Sequence, residues 1–163
     1  MVFDPIFIPV GEAQKLLNVR SRRTIQDHLA RRLIPYLRIG NNRTRLLPRA
    51  YILGLAHYLN GTSATAPLIR GYNTTAEARQ HVDKAKTRLL AAVNSRSKHT
   101  SDEVAEILGV ERNTVNNWIL DGSLQAEIEP RRGMVVSRDN PLSQKYAIKA
   151  ATLRAFGKWV IAF

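Results

Sequence analysis

The sequence predicts a mainly α-helical fold with small β-hairpin wings, built from two similar units joined by a long helix. Residues 10–35 and 101–125 are a diverged repeat, and strand and turn residues follow each copy. Between the copies, residues 74–94 have a helical pattern. Self-similarity within one chain and apolar periodicity are the signals behind this prediction. We therefore divide the chain into a first unit, a linker with a connector helix and a second unit, at residues 1–60, 61–98 and 99–163.

The two copies of the repeat share residue types at matching spacing. Glu12, Leu16, Leu17, Val19, Thr24, Ile25, Leu29 and Ile34 align with Glu103, Ile107, Leu108, Val110, Thr114, Val115, Ile119 and Leu124. The first copy has one extra residue between its valine and its threonine, within 20–22. This similarity indicates a tandem duplication of a small domain.

The second copy predicts two short helices separated by a tight turn. Thr100 and Glu103 form a T-x-x-E pattern, which is typical of a helix N-terminus. Gly109 can adopt a left-handed backbone and end this helix, and a second helix begins at Arg112 or Asn113. The inner faces of the two helices are predicted to carry Val104, Ile107, Leu108, Val115, Trp118 and Ile119.

The first copy repeats the pattern with two substitutions. Asn18 stands in the place of Gly109, and asparagine also tolerates the left-handed conformation. His28 stands in the place of Trp118, and we interpret it as a packed residue rather than as a pH-sensitive switch.

Each copy is followed by a predicted β-hairpin and a closing helix. In the first unit, strands at 36–39 and 44–47 flank turn residues, and Pro48 fits the first turn of a helix. The apolar face of that helix comprises Tyr51, Ile52, Leu55 and Tyr58. In the second unit the strands lie at 125–129 and 145–148, and a longer loop separates them. A final helix is predicted with Leu153, Phe156, Val160 and Phe163 on one face.

The segment between the units has two parts. Residues 60–73 have linker composition, and 94–98 form a second short linker. Thr74 and Glu77 form another capping pattern that predicts the start of the connector helix. Ala78, Val82, Ala85, Leu89 and Ala92 recur along it at coiled-coil spacing. This seam fits a dimer contact, but three alanines over two heptads favour a connector helix that packs on one of the units.

Charge distinguishes the two ends of the chain. The net charge is +12, which suggests a polyanionic partner. Residues 1–60 carry ten basic and three acidic side chains, whereas 99–163 carry eight of each. Residues 61–98 carry seven and two. The first unit therefore has the stronger electrostatic attraction for a polyanion.

Two helices, a tight turn and a hairpin form the winged helix-turn-helix pattern. The runs VGEAQKLLNV, RRTIQDHLARRLIPYLRIG and RTRLLPRAYI resemble the excisionase-type winged helix-turn-helix of the MerR-like superfamily. The run TSDEVAEILGVERNTVNNWILDGSLQAEI resembles the same family. The resemblance implies a recognition helix in the major groove of duplex DNA and a wing near the backbone or the minor groove. The extra residue at 20–22 and the long second hairpin depart from the family pattern.

Candidate DNA-binding residues follow from this pattern. Arginine reads guanine, whereas glutamine and asparagine read adenine, so exposed side chains of these types on the second helix are candidates for base contacts. Other arginines are placed to contact phosphates, which position the protein without specifying sequence. In the first unit the candidates are Arg20, Arg22, Arg23, Gln26, Arg31, Arg38, Arg43 and Arg45. In the second unit they are Arg112, Asn113, Asn116, Asn117, Arg131 and Arg132.

Several classes of protein are disfavoured by what the sequence lacks. It has no cysteine, so disulfides and thiolate zinc sites are excluded. No apolar run is long enough to span a bilayer, and the first residues lack the basic region of a signal peptide. No histidine or acidic cluster has metal-ligand spacing, and no phosphate-binding loop occurs. We therefore expect no enzyme activity, no cofactor, no metal, no membrane contact and a cytoplasmic, nucleoid-associated location.

The sequence thus predicts a sequence-selective binder of double-stranded DNA, such as a transcriptional regulator or an excision or partition accessory factor. A bacterium or a mobile element is the expected source. One alternative is an adaptor whose first unit binds DNA while its second unit and aromatic tail bind a protein. Another is a DNA-processing enzyme. A homodimer or protein contact through 74–94 or the C-terminal helix also remains open.

Overall fold

The computed structural model describes residues 5–39, 44–128 and 145–161, which form a mixed fold of eight helices and small antiparallel sheets. The first half comprises β1 (Phe7–Ile8), α1 (Val10–Leu16), α2 (Arg22–Ala30), β2 (Tyr36–Ile39), β3 (Thr44–Pro48), α3 (Arg49–Leu59), α4 (Ala66–Asn73) and α5 (Ala76–Asn94). The second half comprises β4 (Lys98–His99), α6 (Ser101–Leu108), α7 (Arg112–Leu120), β5 (Glu127–Ile128), β6 (Tyr146–Lys149), α8 (Ala150–Phe156) and β7 (Gly157–Val160).

The ends of the paired helices follow the expected local chemistry. The Thr100 hydroxyl accepts a hydrogen bond from the Glu103 backbone N–H at 3.2 Å, which caps α6. Gly109 ends α6 with φ 70°, and Asn18 follows α1 with φ 54°. His28 is buried in α2, as predicted for a packed residue. These predictions are confirmed.

Residues 60–73 are not a linker, contrary to their composition. Helix α4 occupies Ala66–Asn73 and buries Ile69, Tyr72 and Asn73. Thr74 closes this helix, and the Thr75 hydroxyl, rather than that of Thr74, caps α5 by accepting from the Ala78 N–H. The prediction of a linker is wrong because three anchoring side chains are enough to dock a short helix whose other positions are small and polar.

Helix α3 buries one side chain that the sequence pattern did not select. Tyr51, Ile52 and Leu55 are fully buried as expected, and Leu59 joins them. Tyr58, predicted on the same face, is 46% exposed. Its ring lies 5.4 Å from that of Tyr72, so α4 covers only part of it.

The first hairpin belongs to a larger sheet than expected. Its strands β2 and β3 pair as predicted, but β1 adds to one edge and β7 to the other, in the order β1-β3-β2-β7. The second hairpin, β5 and β6, pairs with β4 to give a three-stranded sheet. All these pairings are antiparallel.

The predicted C-terminal helix is wrong beyond Phe156. Helix α8 ends at Phe156, and 157–160 form β7 along β2 of the first hairpin. Val160 therefore pairs with Tyr36, and Phe163 lies outside the described residues. A segment of four residues is too short to show whether its apolar residues repeat every 2 or every 3.6 positions, so its sequence does not distinguish a strand from a helix. The unpaired edge of β2 favours the strand.

The four-stranded sheet separates two hydrophobic clusters. Tyr36, Leu47 and Ile8 belong to a cluster with α1, α2 and α3, whereas Leu37 and Leu46 belong to a cluster with α6 and α7. Successive strand residues point to opposite faces of a sheet, so one sheet serves both clusters. Trp159 of β7 contacts both.

Helix α5 packs along this body rather than projecting from it. Ala78 and Val82 lie in the first cluster and Ala85 in the second, with Leu89 packed against it. These four seam residues pack within the chain, which confirms a packed connector helix, but the helix contacts both clusters rather than one unit alone. The same helix fixes how the two helical pairs are placed relative to each other.

Candidate nucleic-acid interface

The outward face of α2 presents a row of polar side chains. The Ser21 hydroxyl caps the helix by accepting from the Arg23 N–H at 3.2 Å. Ile25, His28 and Leu29 are buried. Helical spacing therefore leaves Arg22, Arg23 and Gln26 exposed, as the sequence predicted.

A groove of about 750 Å³ runs between α2 and the first hairpin. Arg23 and Gln26 line it from the helix, and Arg45 lines it from β3. Its other lining residues are Val10, Ser21, Thr24, Asp27 and Ala30. Two of the predicted α2 residues and one hairpin arginine thus face the same space, which is what a joint contact with one ligand requires.

Three cations stand side by side across the sheet. Arg38 of β2 is directly opposite Arg45 of β3 on one side and Lys158 of β7 on the other. Like charges directly opposite each other destabilise a sheet, so this row opposes folding unless a counter-charge is present. Arg38 and Lys158 are exposed, and Arg45 is partly exposed. We call Arg38, Arg45 and Lys158 the basic row.

The basic row lies on the side of the sheet that carries α2. Alternation along β2 puts Arg38 on the same face as Tyr36, which packs in the cluster of α1, α2 and α3. The Arg45 guanidinium lies 5.4 Å from the centroid of the Tyr36 ring, a cation–π contact that holds it at the groove. The helix face and the basic row therefore form one continuous surface.

The other predicted arginines of the first unit that the structure describes on and before α2 do not line the groove. A methyl group added at Gly11 would lie 3.1 Å from Arg22 Nη2, so this guanidinium folds back over the start of α1. Arg31 pairs with Asp27 at 3.4 Å, and both side chains are largely exposed. Arg20 is exposed, and its carbonyl accepts from Gln14 Nε2 at 3.3 Å.

Little of the positive charge at the groove is neutralised by the protein itself. Within the described ranges, Arg23, Arg38 and Lys158 have no carboxylate within ion-pair distance. In contrast, Arg112 of the second unit pairs with Asp102 at 3.6 Å, and Arg96 of the connecting segment pairs with Glu103 at 3.1 Å. Arg38 and Lys158 of the basic row are therefore exposed and open to a polyanion beside α2.

The second sheet shows the same internal neutralisation. Glu127 accepts from Lys98 at 3.1 Å and lies 3.4 Å from Lys149. These two ammonium groups lower the pKa of the Glu127 carboxyl below its usual value. Lys98 and Lys149 are therefore ion-paired with Glu127 within the chain.

Helix α7 presents only part of the predicted second site. Arg112, Asn113 and Asn117 are exposed, as expected. Asn116 was predicted on the outer face and is fully buried, so that assignment is corrected. It precedes the half-buried Ile119 by three residues and follows the buried Val115, so it borders the inner face, and the fold closes over it.

Three predicted residues cannot be placed. Arg43 of the first hairpin and Arg131 and Arg132 of the second lie outside the described residues. Lys158, in contrast, joins the site although the sequence did not select it. It was expected within a helix far along the chain, and the residues around it gave no signal of a strand.

Metal ligation is one chemistry that the described ranges do not offer. No group of three or more histidine, aspartate or glutamate side chains is placed to hold a metal ion there. Nor does any helix of those ranges have the length and apolarity that crossing a membrane requires.

Comparison of the chain with protein-family models, with curated proteins and with solved structures finds no match. The interface therefore has to be interpreted from its own geometry and charge.

Proposed function

We propose that this protein binds double-stranded DNA with sequence selectivity through two tandem winged helix-turn-helix units, of which the first contributes most of the affinity. The observation that carries the proposal is the basic row beside the exposed face of α2. A regulator of transcription or an excision or partition accessory factor of a bacterium or mobile element would use such a surface.

The side chains of this surface suit two different contacts with DNA, one to the bases and one to the phosphates. Arg23 and Gln26 have side chains that bond bidentately to guanine and adenine edges in the major groove. Arg38, Arg45 and Lys158 are spaced by the strand separation of about 4.8 Å, so they form a compact cationic strip beside the helix. Such a strip suits phosphates, which carry one charge per about 1.7 Å of duplex axis. The helix residues would specify sequence, and the strip would position the duplex.

The second unit would add a weaker contact. Its exposed Arg112, Asn113 and Asn117 offer the same pairing chemistry, although Arg112 must leave Asp102 to use it. Because the two units share one packed body, the second is held near DNA once the first has bound, and a weak contact then still adds affinity.

The test is selection of duplexes from a random library followed by fluorescence anisotropy between about 50 and 200 mM salt. We expect Arg23→Ala/Gln26→Ala to lose the preference for the selected duplex over a scrambled one. Lys158→Ala should instead weaken binding to both and reduce the slope of log K against log salt by about 0.9. Lys84→Ala, an exposed cation on α5 outside the groove, is the matched control and should change neither.

Three outcomes would contradict the proposal. Wild-type protein that binds no duplex at about 50 mM salt would exclude DNA binding. Equal affinity for selected and scrambled duplexes would exclude sequence selectivity. A loss for Lys84→Ala as large as that for Lys158→Ala would mean that net charge, rather than the basic row, drives binding.

The adaptor function has two observations in its favour. Arg112 and Lys149 of the second unit are ion-paired, and Leu120 and Ile128 are 50% and 55% exposed there. Arg112→Ala/Asn117→Ala distinguishes the two functions. Unchanged DNA affinity and selectivity would assign the second unit to a protein partner. A measurable loss of either would support DNA binding by both units.

A further inference from the structure

A second cavity lies between the four-stranded sheet and helices α5, α6 and α8, on the opposite side of the sheet from the basic row. Its volume is about 260 Å³. Leu37 and Ile39 of the sheet form one wall, Leu89 of α5 and Ile107 of α6 form others, and Phe156 and Trp159 close it from the C-terminal segment. Five elements thus enclose one apolar space.

The size of this space exceeds ordinary packing defects. Protein interiors contain few voids larger than a water molecule. An apolar cavity of about 150 Å³ takes up benzene, and pockets for drug-sized ligands begin near about 300 Å³. A cavity of about 260 Å³ therefore suits a ligand somewhat larger than a single aromatic ring.

Two cations stand among the apolar lining residues. Lys86 Nζ lies 5.7 Å from the centroid of the Trp159 ring. Arg154 lines the cavity from α8, and its Nη1 donates to Asn94 Oδ1 at 2.5 Å. None of the described lining residues is acidic. The space is thus apolar in its body and positive at two points.

We propose that this cavity binds a small apolar carboxylate, with the apolar part among Leu37, Ile107 and Phe156 and the carboxylate at Lys86 and Arg154. Charge complementarity selects an anion over a neutral or cationic molecule, and the apolar walls select a carboxylate with a hydrocarbon body over a phosphate. The site is separate from the DNA-binding surface and does not depend on it.

The fluorescence of Trp159 should report ligand binding. Trp159 lines the cavity, and its ring also lies 5.7 Å from Phe7 at the sheet. The other tryptophan, Trp118, is buried in α7 and absent from the lining. A bound ligand should therefore change the emission of Trp159 more than that of Trp118, whose ring reaches the cavity only through its contact with Phe156 at 5.3 Å.

The experiment titrates the full chain with 4-phenylbutyrate and with 4-phenyl-1-butanol, followed by calorimetry and tryptophan emission. We expect one carboxylate per chain, bound with a Kd about tenfold lower than that of the alcohol. Lys86→Met and Arg154→Met should each reduce this preference at least about fivefold. Lys84→Met, on the same helix and outside the cavity, is the control that should retain it.

A cavity-filling variant tests the location. Ile107→Phe should weaken both probes while circular dichroism and Tm stay near those of the wild type, because the added atoms occupy the empty volume. If that variant fails to fold, the two cation variants and the emission of Trp159 still decide the question.

Three results would overturn the assignment. Equal affinity for the carboxylate and the alcohol would show that Lys86 and Arg154 do not bind the carboxylate. The absence of saturable binding of either probe would show that the cavity is not a binding site. A concentration-dependent dimer that Leu90→Glu disrupts would assign the cavity to a second copy of the chain, since Leu90 lines it and is 49% exposed. None of these measurements involves DNA, so their failure is distinguishable from failure of the proposed function.

Discussion

Asn116 and Asn117 are neighbours in α7 with opposite surroundings. Asn116 is fully buried and takes part in an interaction within the fold, whereas Asn117 is exposed beside Asn113. The same residue type therefore has a structural role at one position and is available for a base contact at the next. A single helical turn of sequence does not reveal which is which.

This pair gives a prediction with an internal control. Asn116→Ala should lower the free energy of unfolding by about 1–3 kcal/mol, since it truncates a fully buried side chain that takes part in an interaction within the fold. Asn117→Ala should leave stability within about 0.5 kcal/mol and weaken DNA binding. Urea unfolding and anisotropy on both variants check this. The reverse assignment of effects would contradict the burial pattern.

Tyr51 of α3 and Asn73 of α4 form a buried polar contact beside the ring of Tyr72. The Tyr51 hydroxyl donates to Asn73 Oδ1, and Asn73 Nδ2 donates to the Leu33 carbonyl at 2.6 Å. The Tyr51 and Tyr72 rings lie 5.3 Å apart, edge to face. Burial, the largest cause, raises the pKa of both phenols well above the usual value. The contact anchors the segment that sequence composition assigned to a linker.

These raised pKa values predict an alkaline limit of stability. In the unfolded chain both phenols ionise near pH 10, whereas in the folded state they stay neutral to higher pH. Their contribution is therefore present below about pH 10 and is lost as the pH rises through the folded pKa values. Absorbance at 295 nm should show two tyrosines that titrate only on unfolding, and Tyr51→Phe should remove one. Full titration of all tyrosines in folded protein would contradict this.

At the scale of elements, β7 depends on a glycine that precedes its lysine. A Cβ at Gly157 would lie 2.8 Å from Leu37 Cδ1 and 3.1 Å from its Cγ. Leu37 is buried in the second cluster, so its side chain would have to shift toward the cavity that it lines before a side chain at 157 could fit. The absence of a side chain at 157 allows the C-terminal strand to lie close along β2.

Gly157→Val should therefore destabilise the fold by about 1–3 kcal/mol through overpacking against Leu37. It should also weaken DNA binding, because β7 holds Lys158 in the basic row. Ala155→Val, an exposed position on α8, is the control and should cost only a few tenths of a kcal/mol. Chemical unfolding and anisotropy test both variants. A Gly157→Val variant as stable as the control would show that β7 tolerates a side chain there.

At the scale of the whole molecule, the two helical pairs share one sheet. Leu37 and Leu46 face the second cluster while Tyr36 and Leu47 face the first, and Trp159 touches both. Neither cluster is complete without strands that the other also uses. The two helical pairs are therefore joined in one packed body, although their sequences are separated along the chain.

This arrangement predicts a single cooperative unfolding transition. Trp118 lies in the second cluster, and the helices of both pairs report by circular dichroism. Urea curves followed by tryptophan emission and by ellipticity at 222 nm should coincide. Two separated transitions would show that the units fold independently and that β7 adds little to their coupling.

Local chemistry allowed the paired helices, their caps and both hairpins to be predicted from the sequence. Thr100, Gly109 and Asn18 act within one helical turn, where hydrogen bonds and backbone preferences are independent of the rest of the chain. The exposed residues Arg23 and Gln26 of α2 followed from helical periodicity. These features needed only short-range information.

Tertiary structure alone decided which distant segments meet. The C-terminal residues 157–160 became a strand because β2 offered an unpaired edge, and this brought Lys158 beside Arg38 and Arg45. Asn116 became buried because packing closed over the edge of its helix face. Pairing across more than a hundred residues depends on the shapes and open hydrogen bonds of surfaces that exist only once the chain has folded, so no local pattern encodes it.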